Sequence, residues 1–90
     1  MTTEYARYQG KRKELQLQAE ALRLRIRSTI TDLRRECDPV VDETQVRAEL
    51  IHEHAVALET AQLDLIEVLE QIRTIDSIIG RDAPRSTPGR

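Results

Sequence analysis

The chain has 90 residues, 39% of them apolar and 33% charged, with a formal net charge of −2 and only Tyr5 and Tyr8 as aromatics. That length makes one small domain. Without Trp or Phe a rounded core is disfavoured, because such cores draw much of their buried area from aromatics, and long helices packed through Leu, Ile, Val and Ala are expected instead.

No apolar run approaches the roughly 20 residues of a membrane span, and no secretory leader is evident, so a cytoplasmic location and no membrane partner are expected. The single cysteine, Cys37, excludes an internal disulfide. A free cysteine usually behaves as a small buried apolar residue, which is the expectation here.

The first helix is predicted over about residues 4–37. Thr2 or Thr3 can cap it, with Glu4 well placed in the first turn. Gly10 costs about 1 kcal/mol relative to Ala inside a helix, so the segment before Lys11 is expected to fray. Beyond it, Leu15, Ala19, Leu22, Ile26, Ile30, Leu33 and Cys37 recur in steps of three or four and mark one helix face. Tyr8 extends that face by a turn, and Thr29 dilutes it. A weaker stripe, Leu17, Ala21 and Leu24, lies on another side among Arg23, Arg25 and Arg27.

Pro39 ends this helix and biases Asp38 away from helical angles. Asp38-Pro39 is itself a helix start signal, and Asp42-Glu43-Thr44-Gln45 has capping-box spacing. The hinge is placed at 38–42, and the second helix from Pro39 or Glu43 to Ile79, with Gly80 as its stop. Its pattern is the clearest in the chain. Ile51, Leu58, Leu65, Ile72 and Ile79 fall seven apart, with His54, Ala61, Val68 and Ile75 between them. Such a sustained heptad predicts a coiled-coil seam. Gln62 and Asp76 sit on the edge of that seam, where polar residues can fix register. Residues 81–90, with two prolines and a glycine, read as a flexible tail.

Charge divides at the hinge. Residues 1–37 carry nine bases against five acids, and residues 38–80 carry ten acids against two bases. Opposite charge favours pairing of the two helices and disfavours pairing of like helices. The expected fold is all-α: an antiparallel two-helix hairpin over residues 1–80, itself dimerising into a four-helix bundle because one seam buries little surface. A single long kinked helix that dimerises antiparallel would satisfy the same charges.

The functional reading follows from what the pattern lacks. It has no glycine-rich phosphate loop and no nucleophile–base arrangement, and no catalytic residue, metal ligand or cofactor is assigned. His52 and His54 stand about 200° apart on a helix, too far round to chelate together. Paired acids such as Asp42/Glu43 and Glu67/Glu70 read as solvated charge, since a catalytic pair needs a pocket that perturbs it. The expectation is a non-enzymatic interaction module: an adaptor, chaperone-like or assembly subunit, binding a second copy of itself or another protein. Leu17, Leu24, Leu63, Ile66, Leu69 and Ile78 are the residues expected at that contact. The alternative is a small regulator that holds RNA or DNA phosphates through Lys11, Arg12, Lys13, Arg23, Arg25 and Arg27.

Overall fold

The computed structural model describes residues 3–82 and their order is helix, short turn, helix. Helix α1 spans Thr3–Glu36, a single 3-10 turn spans Glu43–Gln45, and helix α2 spans Ala48–Asp82. The two long helices pack against one another within one chain, as an antiparallel hairpin. Its extents are 64 × 27 × 14 Å. An α-helix with its side chains is about 10–12 Å across, so the molecule is two helices wide and one helix thick. Its radius of gyration is 20.1 Å, against about 12 Å for a compact domain of this length.

The seam on α2 is the one that the heptad predicts. Ile51, His54, Leu58, Ala61, Leu65, Val68, Ile72, Ile75 and Ile79 are all buried or half-buried. The seam on α1 departs from expectation at two positions. Ile30 is 41% exposed and Cys37 is exposed, while Thr29 is buried and Glu36 half-buried. The α1 seam therefore runs Tyr8, Arg12, Leu15, Ala19, Leu22, Ile26, Thr29, Leu33, Glu36, in alternating steps of four and three. The reason is rotational. A step of four advances a helix face by about 40°, and a step of three turns it back by about 60°. Two fours in succession, Leu22 to Ile26 to Ile30, carry Ile30 off the contact line, and a three from Ile26 returns to it at Thr29. The buried hydroxyl of Thr29 is satisfied locally, donating to the Arg25 carbonyl at 2.8 Å.

The densest packing lies away from the hinge. Leu15, Ala19, Val68 and Ile75 form the buried cluster, with Tyr8, Leu22, Leu65, Leu69, Ile72 and Ile79 against it. Ala19 and Ala61 are 5% and 1% exposed, and their small side chains let the helix axes approach.

The hinge is longer than the sequence suggests, because neither start signal opens α2. Asp38 instead organises the turn after α1: its Oδ1 accepts from the Val40 N–H at 3.0 Å, and its carbonyl accepts from Val41 at 3.0 Å. Asp42 caps only the 3-10 turn, which Val46 ends in an extended conformation at φ −65°, ψ 128°. Had α2 begun at Pro39, about nine more residues, or roughly 13 Å of helix, would have been added at the hinge end. Those turns of α2 would then have run past the end of α1 at Glu36, with no helix beside them. Starting at Ala48 matches α2, at 35 residues, to α1, at 34, and keeps every seam residue partnered. At the far end α2 passes through Gly80 to Asp82 instead of stopping there. The predicted tail beyond it, like Thr2 as a cap, lies outside the described residues. Among the described residues no helix is long and apolar enough to cross a membrane.

Candidate interaction surface

Two ion pairs bracket the hairpin, one between the helices and one from the hinge to the end of α1. The Arg12 guanidinium donates to both carboxylate oxygens of Asp76, the Nη2–Oδ2 contact being 3.4 Å. Near the hinge, Arg47 donates to both oxygens of Glu36, Nε to Oε1 at 3.0 Å. Both guanidiniums are held above their ordinary pKa by the hydrogen bond to the carboxylate first and by its charge second. Asp76 thus ties α2 to α1 at the seam edge, where the sequence places a register-fixing residue, whereas Gln62 is simply exposed.

With the seam closed, four of the six expected contact residues remain in solvent. Leu17 is 59% exposed, Leu24 69%, Leu63 58% and Ile66 46%. Leu69 and Ile78 are half-buried, and Leu69 packs onto the hairpin's own core, so it serves the intramolecular seam. The four exposed residues do not form one patch. Leu17 follows the buried Leu15 by two residues, about 200° round the helix, and Leu63 stands likewise to Ala61. Each therefore lies on the back of its helix, facing away from the other helix. Val56, 47% exposed, belongs with Leu63 on the back of α2. The sequence reading passed over it, although its spacing of seven from Leu63 is the available signal.

The basic residues of α1 divide into committed and uncommitted groups. Arg12 is bound to Asp76, and Lys11 lies 3.8 Å from Glu14. Lys13, Arg23, Arg25 and Arg27 are exposed and form no ion pair among the described residues. Arg25 borders a shallow open groove of about 400 Å³ along one flank of the seam, with Leu22 and Val68 in it and Asp64 and Glu67 on the opposite wall.

The remaining candidates separate. His54 is half-buried in the seam and His52 is exposed. Among the described residues no three His, Cys, Asp or Glu side chains are grouped to hold a metal ion. Asp42 accepts from the Thr44 N–H at 3.0 Å and from its hydroxyl. The hydroxyl bond first, and the backbone bond second, hold its carboxyl below the usual carboxylate range. That is capping, and Glu43 beside it is exposed.

Comparison with protein-family models, with curated proteins and with solved structures gives no match to this chain.

Proposed function

We propose that the chain is a non-enzymatic protein–protein interaction module, a small adaptor, chaperone-like or assembly subunit that works through the outward faces of its two helices. One observation carries this reading: the seam is already complete, yet Leu17, Leu24 and Leu63 stand 58–69% exposed at regular helical spacing. A helix that presents apolar residues seven apart is suited to lie in a groove or complete a bundle. The experiment is a column of the immobilised chain against the soluble proteins of its own cell, beside light scattering of the free chain. Leu17→Gln/Leu24→Gln/Leu63→Gln should abolish whatever association the wild type shows. If wild type and variant behave alike in both measurements, the reading is wrong.

The uncommitted Lys13, Arg23, Arg25 and Arg27 favour a second reading, a regulator that grips RNA or DNA phosphates from α1. It requires that Arg23→Gln/Arg25→Gln/Arg27→Gln release the chain from a nucleic-acid column at low salt. A wild type that passes straight through such a column ends this alternative.

A further inference from the structure

We infer that the chain self-associates head to tail, the back of α1 in one copy resting on the back of α2 in the next. The inference rests on the interaction-module reading and names the partner as a second copy.

Spacing and charge both point to this pairing. The back of α1 carries Leu17 and Leu24, and the back of α2 carries Val56 and Leu63, in each case seven residues or about 10.5 Å apart. All four are large, apolar and exposed, and Ile66 extends the second set by a turn. The charged surroundings have opposite sign. Within a turn of Leu17 or Leu24 on α1 lie the exposed Lys13, Arg23, Arg25 and Arg27 against Glu14 and Glu20. On the outer surface of α2, Glu49, Glu53, Glu59, Glu67 and Glu70 stand against Arg73 alone. Glu53, Glu59, Glu67 and Glu70 each lie within a turn of Val56, Leu63 or Ile66, so any helix laid on those residues meets a ring of carboxylates. A second α2 would bring its own acids to that ring, whereas α1 brings a net excess of cations.

The placement of the two backs then decides the symmetry. They point in opposite directions, at the two edges of a hairpin two helices wide. A copy that accepts α1 of a neighbour on its α2 still has its own α1 back free. The contact is heterologous, and repetition extends the row unless the rotation between copies closes it into a ring. A closed dimer that paired like backs would set acid against acid, or base against base.

Sedimentation equilibrium over a concentration series tests this with two variants, one per face: Leu17→Gln/Leu24→Gln, and Val56→Gln/Leu63→Gln/Ile66→Gln. Glutamine is a good helix former, and all five positions lie outside the seam, so circular dichroism should report the same helix content as wild type. The wild-type mass should climb through dimer to larger species. Each variant alone should associate at least tenfold more weakly. A one-to-one mixture should recover a dimer and stop there, because only one intact junction can form. The inference is overturned by a wild type that stays monomeric to about 1 mM, a concentration at which even a weak contact of about −4 kcal/mol is half occupied. It is equally overturned by an α2-face variant that associates as wild type, or by a mixture that forms no dimer. A monomeric wild type that still loses a bound cell protein when the same leucines are replaced would sink self-association and leave the interaction module standing.

Discussion

At Asp42 an exposed carboxylate accepts two hydrogen bonds from Thr44, and its pKa falls accordingly. Because the folded value lies below the unfolded one, the stability that this cap lends is fully present above the unfolded carboxylate range, about 4. It is lost as pH falls through the lower, folded value. Asp42→Ala should therefore melt below wild type at pH 7, and the gap should close on acidification from about pH 4 downward. A gap that persists unchanged at pH 2 would mean that the carboxylate is not the acceptor that matters. Gly10 offers the opposite case. It lies within α1, and a Cβ built on it meets nothing within 4 Å. Gly10→Ala should stabilise the chain by about 0.5–1 kcal/mol in urea unfolding, through the lower entropy of the unfolded chain and better helix propensity. No gain would show that the first turns of α1 are already frayed in the folded state and contribute little.

The elements differ in how far their sequences disclose them, and packing explains the difference. On α2 the seam is legible because all but one of its nine positions are apolar, so composition and heptad agree. On α1, Arg12, Thr29 and Glu36 occupy seam positions, and a search for apolar residues slides off them onto Ile30 and Cys37. The polar seam residues are tolerable because each has a local partner: Asp76 for Arg12, the Arg25 carbonyl for Thr29, and Arg47 for Glu36. At the hinge, Asp38 and Asp42 act as their local chemistry suggests, but the start of α2 is set by matching the helix lengths, which no local signal encodes. The candidate surface divides the same way. Leu17, Leu24, Leu63 and Ile66 have no place in either heptad, so their exposure can be read directly. Leu69 sits beside the seam, and only the packing of the two helices decides that it is used within the hairpin. That packing depends on the small residues at Ala19 and Ala61. Ala61→Leu inserts volume at a position that is 1% exposed and should cost about 1–3 kcal/mol. Ala57→Leu, on the same helix but exposed, should be near neutral. Equal effects of the two substitutions in urea unfolding would show that the axes can separate freely and that the alanine contact is not selective.

For the whole molecule, a hairpin one helix thick has no interior beyond its single seam. Among the described residues the buried apolar side chains are Leu15, Ala19, Ala61, Val68 and Ile75, and two of those are alanines. A chain so built gains much from any surface that covers its backs. If neighbouring copies supply that cover, association must feed into stability by mass action, adding about 2.7 kcal/mol when the free concentration reaches 100 times the dissociation constant. For a domain of this size each 1 kcal/mol moves the melting temperature by about 4–8 °C. Raising the protein from micromolar to near-millimolar concentration should therefore raise the wild-type melting temperature by several degrees. The Val56→Gln/Leu63→Gln/Ile66→Gln variant should stay flat. Added salt should reduce the concentration dependence, because screening beyond a Debye length of about 8 Å at physiological ionic strength weakens attraction between the basic and acidic backs. Leucine contacts do not screen, so a residue of the dependence should survive in high salt. A wild type whose melting temperature ignores its own concentration would instead place all of its stability in the seam, and would leave the backs of both helices to a partner of different sequence.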